Sequence, residues 1–275
     1  MAIRRLASHA TVHAVLILFV FVSLAPLALI WMTSLKTTPE MSADPLGLPR
    51  NWVFSNFAVA WDTAHLGQYA VNSVLVAVPT LLIVLAGSSL AGYALAALRF
   101  PGRGLIFGVF LLGLMVPSIS VAVALYYTER SMGLVDSLLG LVLAEAAQAL
   151  PLSIFVMRAS FRDLPRELRE AVLIDGGNEI DALVRVLLPL ARPALTAAAV
   201  VTFLLVWNDY LLPLVLINTA TQRTLPLGVS LLYGQYTTDI VLVAAATSLS
   251  TLPSILIYVL LQRHFIQGVV QGSVK

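Results

Sequence analysis

Long apolar runs separated by short polar segments make up most of the chain. Six runs, at about residues 13–33, 69–98, 105–127, 137–158, 193–217 and 240–262, carry almost no charged residues. A helix of about 20 apolar residues crosses the hydrocarbon core of a bilayer. The pattern therefore predicts an all-α integral membrane protein with six transmembrane helices, which form a single transmembrane domain over residues 1–275.

The N-terminal run has the basic start and apolar core that are typical of a signal peptide. Its apolar part, from Ala14 to Met32, is too long for a signal peptide and lacks an obvious cleavage site. We therefore expect it to be retained as the first membrane span.

The second run carries small residues at intervals of four, Ser88, Gly92 and Ala96. This spacing places them on one face of a helix, where small side chains let a second helix approach closely. The pattern indicates a tight helix contact, although it is common in spans rich in Gly and Ala.

Composition narrows the class of protein. The chain of 275 residues is 59% hydrophobic and only 11% charged, which is typical of a membrane protein and not of a soluble domain. The net charge of +2 is small and dispersed, so a nucleic-acid partner is not expected. Without cysteine, disulfides and thiolate metal sites are excluded.

The distribution of basic residues predicts the orientation. If both termini lie in the cytoplasm, four of the 16 Lys and Arg residues lie outside, namely Lys36, Arg50, Arg130 and Arg223. The others lie inside, as the positive-inside rule requires. The segment of residues 163–189, the most charged in the chain, is then cytoplasmic.

This segment predicts two short helices. The first starts at Asp163 or Leu164, has Pro165 in its first turn and ends at Gly176 and Gly177. The second has apolar residues at helical spacing from Ile180 and runs into Pro189. Such a pair is either a docking element at the membrane surface or a solvated surface helix that touches nothing.

Two carboxylates interrupt the apolar spans, and an ionised carboxylate in hydrocarbon needs a partner or water. Glu145 has Gln148 one helical turn on, and Asp209 follows Trp207 and Asn208. These groups suit a polyhydroxylated solute, or ions in a secondary carrier that works alone. Alternatively, Asp209 caps a kinked helix or ties two spans together.

Motifs of catalysis are lacking in the sequence. The four His residues are not paired at metal-ligand spacing, and no G-x-x-x-x-G-K-[ST] motif occurs. No nucleophile, base and orienting group can be combined into an active site, so a membrane enzyme is the least favoured class. Any ATP dependence must come from a partner.

The segment of residues 163–189 resembles the cytoplasmic coupling motif of ABC-importer permeases, which reads Glu-Ala-Ala, three residues, Gly, nine residues and Ile-x-Leu-Pro. It is therefore called the coupling loop. The spacing is intact, with Val replacing the second Ala and the Ile. The matching residues are Glu170, Ala171, Val172, Gly176, Val186, Leu188 and Pro189.

The resemblance extends over nearly the whole chain, to the carbohydrate-uptake branch of maltose-type permeases and its second, MalG-like subunit. The segment ALYYTERS at Ala124 departs from the Pro-Leu-Tyr pattern that is more usual there. The matching segments are NSVLVA, GYALAALRFPGR, MGLVDS, LPLARPAL, VWNDYLLPL, TLPLGV and the C-terminal QRHFIQGVVQGSVK.

The resemblance implies a type I ABC importer permease fold in the bacterial inner membrane, with both termini cytoplasmic. The implied partners are a second permease, two ATPase subunits that bind ATP and Mg, a solute-binding protein, a sugar and membrane lipid. Glycerol phosphate or another polyol-like solute is an alternative cargo. The implied coupling residues are Glu170, Ala171, Val172, Asp175, Gly176 and Pro189. From the residues themselves, we predict that Trp207, Asn208, Asp209, Glu145 and Gln148 lie along the sugar path.

Overall fold

The computed structural model describes the backbone of residues 2–235 and 239–273 and the side chains of residues 12–232 and 239–260. Contacts between Cα atoms divide the chain into two compact units. One comprises Met1–Gly67 and Gly228–Leu252, and the other comprises Gln68–Leu227 and Pro253–Lys275. All the residues predicted for coupling and for the sugar path lie in the second unit. That residues 1–275 form one domain stays a prediction.

Every regular element among the described residues is helical, which confirms the predicted all-α class. A π-helix, Ala182–Leu187, follows α9, and a 3-10 helix, Ala220–Gln222, follows α12. The α-helices are α1 (Ala2–Ser34), α2 (Thr38–Ala43), α3 (Ser55–Thr63), α4 (Leu66–Ala97), α5 (Arg103–Met115), α6 (Ser118–Met132), α7 (Leu138–Asp163), α8 (Glu167–Ile174), α9 (Glu179–Asp181), α10 (Leu188–Leu190), α11 (Arg192–Asn208), α12 (Leu211–Leu216), α13 (Leu225–Gln235) and α14 (Ile240–Ser273).

Within the described part of the chain, four helical segments are long and apolar enough to cross a membrane: Val12–Ser34, Leu66–Ala97, Leu138–Asp163 and Ile240–Leu260. They correspond to the first, second, fourth and sixth predicted spans. Within a helix every interior backbone group is bonded along the chain, which is what an apolar solvent demands. Two bent helix pairs bring the number of candidate spans to six.

The third predicted span, residues 105–127, is not one continuous helix. Its two parts, α5 and α6, are bent by 108°. Between them Val116 and Pro117 have extended backbones, with ψ of 119° and 136°. Proline offers no N–H to the helix and disfavours the helical conformation of the residue before it, so the helix ends and begins again.

The fifth predicted span, residues 193–217, is also divided. It begins as α11 and breaks at Asp209, whose ψ is 133°, before α12 begins at Leu211. Ahead of α11, the segment Glu179–Leu190 is bent by 79° from Arg192–Asn208. The second helix of the coupling loop therefore does not continue the direction of the span.

The first helix of the coupling loop begins later than predicted. Asp163 ends α7, and α8 starts at Glu167. Between them Leu164 is extended, with ψ of 141°, because it precedes Pro165. The proline thus separates α7 from α8 and does not lie in the first turn of α8.

In the second unit, half of the most apolar window of α7 is buried, and hydrogen bonds join this helix to α4 and α11. The Thr80 hydroxyl of α4 donates to the Val142 carbonyl at 3.3 Å. The hydroxyls of Ser153 and Thr202 lie 3.2 Å apart and join α7 to α11. Buried hydrogen bonds of this kind fix the register of helices that an apolar surface alone would let slide.

In the first unit, most of residues 12–29 of α1 are exposed, and none of the most apolar window of this helix is buried. Such a surface is stable in lipid and not in water. The chain after α1 is fastened by Lys36, which is 1% exposed. Its ammonium group donates to the carbonyls of Asp44 and Pro45 at 2.9 and 3.0 Å, so this buried cation is hydrogen-bonded.

Candidate functional site

Helix α8 of the coupling loop has one packed face and one open face. Leu168, together with the preceding Leu164, packs against buried residues of the second unit. On the other side Glu170 and Ala171 are exposed, and Ile174 is 85% exposed. An amphipathic helix held at the surface with an apolar and acidic face free is a geometry that fits a docking partner.

The turn after α8 requires both of its glycines. Gly176 has φ of +86°, the left-handed region that Gly adopts without strain. At Gly177 an added Cβ would lie 2.7 Å from Cγ1 of Val172 and 3.0 Å from its carbonyl oxygen. Among the predicted coupling residues, Asp175 caps the helix, and Val172 is half-buried and accepts the Gly177 N–H at 2.9 Å.

The second helix of the loop begins with a capping box. The Asn178 side chain accepts from the N–H of Asp181 at 3.0 Å, and the Asp181 carboxylate accepts from the N–H of Asn178 at 3.1 Å. Of the four apolar residues predicted at helical spacing, Leu183 and Leu187 are buried, whereas Ile180 and Val184 are exposed. Pro189 lies in α10, so the motif ends where the chain turns into α11.

A cluster of three polar side chains ties α8 to the rest of the second unit. Arg169 of α8 donates from Nε to Glu179 at 2.9 Å and from a second guanidinium nitrogen to the other carboxylate oxygen. The hydroxyl of Tyr93, in α4, donates to the same carboxylate. The Arg169 guanidinium holds the pKa of Glu179 below its usual range, and Glu179 in turn raises the pKa of Arg169.

Sequence reasoning missed this cluster. Arg169 and Glu179 are ten residues apart and on opposite sides of the Gly-Gly turn, so neither helical spacing nor the coupling motif pairs them. Tyr93 lies in the segment GYALAALRFPGR, which was noticed only for its family resemblance. The one signal of this ion pair in the sequence is that a charged residue of each sign lies on either side of the Gly-Gly turn.

Apolar contacts lie beneath the cluster and join the coupling loop to the ends of α4 and α7. Tyr93 meets Phe161 edge to face, with ring centroids 6.0 Å apart. The buried members are Tyr93, Met157, Phe161, Leu183, Leu187 and Ala191.

A cavity of about 420 Å³ lies among α5, α6, α7 and α11 in the second unit. It brings together three of the five residues predicted for the sugar path: Glu145, Gln148 and Asp209. The remaining lining is mostly apolar: Gly113, Leu114, Val116, Ser118, Val121, Leu125, Ala147, Ala149, Pro151, Leu152, Leu205 and Val206.

Two polar atoms in this region have no hydrogen-bond partner among the described residues. They are Oε1 of Glu145, a residue that is 5% exposed, and Nε2 of Gln148. One is an acceptor and the other a donor. A buried polar atom without a partner is costly, so a solute or water that satisfies both is energetically favoured here.

Asp209 lies beside Glu145, but its carboxylate is already occupied. It accepts from the N–H groups of Leu211 and Leu212 at 2.9 and 3.3 Å, which caps α12. The alternative of a helix cap is therefore present in the structure. Asp209 also lines the cavity, so the two roles are combined in one side chain.

The other two predicted path residues are not among those that line the described cavity. Trp207 is buried and stacks on Phe203 at 5.4 Å. The Asn208 amide donates to the Leu204 carbonyl at 2.8 Å and accepts from the Ser254 hydroxyl at 3.1 Å. Both side chains therefore make contacts with other helical residues, and neither lines the described cavity.

Comparison with known proteins tests the resemblance. Residues 83–271 match the family described as "Binding-protein-dependent transport system inner membrane component". The chain is 37% identical over 265 residues to the diacetylchitobiose uptake system permease protein NgcG of Streptomyces coelicolor, covering 96% of this chain and 88% of that one. It is 35% identical over 272 residues to the trehalose transport system permease protein SugB of Mycobacterium tuberculosis, covering 98% and 99%.

Among solved structures, the fold is similar to that of a bacterial ABC transporter involved in the import of the acidic polysaccharide alginate. The TM-score is 0.79 with 23% identity, and the match covers 93% of this chain and 96% of that chain. This likeness confirms the predicted type I importer permease fold. Since the family match spans more than half of the chain and full-length relatives exceed 30% identity, the chain belongs to the inner membrane component family of binding-protein-dependent transport systems.

Proposed function

We propose that this permease carries a sugar across the bacterial inner membrane as one subunit of an ATP-driven importer. A second permease completes the path, a solute-binding protein delivers the sugar, and two ATPase subunits bind ATP and Mg. The names of the relatives, which refer to uptake of diacetylchitobiose and trehalose, support a carbohydrate as cargo. The sequence lacks a P-loop, which supports separate ATPase subunits.

The open face of α8 is the observation that carries the proposal. Glu170, Ala171 and Ile174 are exposed there, next to the Asp175 cap and the Gly176 turn. With both termini in the cytoplasm, this face points to where an ATPase docks. Val172 and Pro189 act from within the loop, since each supports its backbone and neither forms the exposed face.

The cavity supports a path for a hydroxylated solute. A sugar hydroxyl both donates and accepts, so one hydroxyl pair satisfies Oε1 of Glu145 and Nε2 of Gln148 together. Asp209 adds a carboxylate to the same wall. Trp207 and Asn208 form the end of α11, directly before Asp209. They affect the sugar path by fixing the position of Asp209.

Transport then follows from two packings of the same helices. Closure of the ATPase dimer on ATP moves α8, and the coupling loop transmits the movement to α7 and α11, which line the cavity. The chain needs no chemistry of its own for this step.

Charge reversal at Glu170 tests the proposal in the complete complex. In Glu170→Lys, we expect ATPase co-purification or sugar uptake to fall by about tenfold or more, because a wrong charge at a docking face costs several kcal/mol. The matched control is Asp62→Lys, which reverses an exposed carboxylate on α3 in the other unit. Normal uptake and normal ATPase binding in Glu170→Lys would overturn the coupling role.

A further inference from the structure

The cluster formed by Tyr93, Glu179 and Arg169 connects α8 to a helix that the coupling motif does not include. Tyr93 belongs to α4 and is 4% exposed, yet its hydroxyl has a charged acceptor in Glu179. Glu179 is held at the same time by Arg169 of α8. Three side chains thus form a continuous polar link from the candidate docking helix to the end of α4.

The end of α4 is also in direct contact with α7. A Cβ added at Gly92, the residue before Tyr93, would lie 2.8 Å from Cβ of Met157 and 2.9 Å from the backbone nitrogen of Arg158. The Arg158 side chain donates from Nε to the Leu95 carbonyl at 3.3 Å. The two helices therefore touch backbone to backbone where the polar link ends.

We infer that α4 is driven directly by α8, and that Tyr93 and Glu179 are the positioning residues that transmit the movement. This rests on the proposed docking of an ATPase at α8. When α8 moves, the polar link either breaks or carries the end of α4 with it. Breaking it leaves a buried phenol and a carboxylate without partners, which is costly, so α4 follows.

The apolar contacts of the coupling loop would not by themselves make α4 follow α8. Leucine side chains under α8 keep most of their contact when they slide, whereas a hydrogen bond is lost within a fraction of an ångström and at a poor angle. Glu179 accepts from two different helices, α4 and α8, through both of its oxygens. Among the described carboxylates, Glu179 alone bonds to both Tyr93 and Arg169.

Tyr93→Phe in the complete reconstituted complex tests the inference. The change removes the hydroxyl and keeps the ring contact with Phe161. We expect sugar imported per ATP hydrolysed to fall by about tenfold, the factor that corresponds to losing one hydrogen bond to a charged group. ATPase subunits should still co-purify, because the exposed face of α8 is unchanged.

The matched control is Tyr127→Phe, which removes the hydroxyl of an exposed tyrosine whose ring meets Tyr126 at 5.7 Å. Its transport ratio should stay at the level of the unmodified protein. A second test adds Tyr93→Phe to Glu179→Ala. Because both changes remove the same bond, the double variant should show no further loss of transport ratio beyond Glu179→Ala alone.

An unchanged ratio in Tyr93→Phe, or loss of assembly in that variant, would overturn the inference, because the tyrosine would then be neutral or merely structural. The two proposals fail separately. If Glu170→Lys abolishes ATPase binding while Tyr93→Phe has no effect, only the role of α4 is wrong. If Glu170→Lys has no effect, α8 is not the docking helix.

Discussion

At the scale of single residues, the two carboxylates of the membrane spans differ in what they are free to do. The carboxylate oxygens of Asp209 accept hydrogen bonds from the N–H groups of Leu211 and Leu212, whereas Oε1 of Glu145 has no partner among the described residues. Both line the same cavity. Glu145 is therefore the better candidate for contact with the solute, and Asp209 for shaping the site.

Substitution separates these roles. Glu145→Gln keeps the shape of the side chain and replaces one carboxyl oxygen with an amide nitrogen, which accepts no hydrogen bond, so we expect the KM of sugar uptake to rise by about tenfold, the factor for one lost hydrogen bond. The ratio of sugar to ATP should not change. Asp209→Ala should lower the free energy of unfolding by about 1 kcal/mol through loss of the cap.

The control for Glu145→Gln is Glu129→Gln. Glu129 is 4% exposed, and its Oε2 has no hydrogen-bond partner in the part of the chain that the structure describes, but it is not among the residues that line the cavity. Uptake assays with reconstituted complexes would show KM rising for position 145 and not for position 129. An equal rise for both, or for neither, would contradict the assignment of Glu145 to the sugar path.

The sequence was sufficient to single out Glu145, Gln148 and Asp209, because polar residues in apolar runs stand out. It could not show which of their atoms are already bonded. The bonding of Asp209 depends on the break in the helix at this residue, after which the first N–H of α12 bonds to the Asp209 carboxylate. Tyr93 was missed for a related reason, since its partner Glu179 is 86 residues away in the chain.

At the scale of elements, proline and carboxylate positions decide where the apolar runs break. The run of residues 105–127 reads as one span, but Pro117 ends α5 and leaves α6 bent by 108°. Proline was visible in the sequence, yet many membrane helices contain one without breaking. Pro79, Pro151 and Pro253 lie inside continuous helices of this chain. A membrane helix tolerates a proline where other groups satisfy the freed carbonyl, so the position of Pro117 alone did not predict the break.

Small residues at intervals of four in the second run predicted a tight contact with another helix, and such a contact is present at Gly92, where α4 meets α7. Gly92→Ala should destabilise the protein by about 1–3 kcal/mol, because its Cβ meets backbone and a short side-chain stem that cannot turn away. Gly108→Ala in α5 is the control, since nothing lies within 4 Å of its added Cβ. It should be neutral or stabilising, because Ala favours helix over Gly by about 1 kcal/mol.

Thermal unfolding in detergent, followed by loss of helical circular dichroism, measures both variants. A midpoint that falls for Gly92→Ala and not for Gly108→Ala would support the contact. If both variants unfold at the same temperature as the unmodified protein, α4 and α7 do not meet at Gly92, and the route from α8 through α4 loses its second step.

At the scale of the whole molecule, the proposed function assigns passage of the solute to this chain and ATP hydrolysis to its partners. The chain holds a coupling loop with an open face and a cavity with unsatisfied polar atoms, and its sequence holds no nucleotide-binding motif. A secondary carrier would need neither the open face of α8 nor a partner. The side chains of the C-terminal segment QRHFIQGVVQGSVK, which contributed to the family resemblance, lie outside the described residues.

Reconstitution separates an importer subunit from a carrier that works alone. Proteoliposomes would contain either this chain alone or this chain with a second permease, two ATPase subunits and a solute-binding protein, with radiolabelled sugar outside and ATP inside. We expect uptake only from the complete set, and only with ATP. Uptake by the chain alone, driven by an ion gradient and without ATP, would contradict the account.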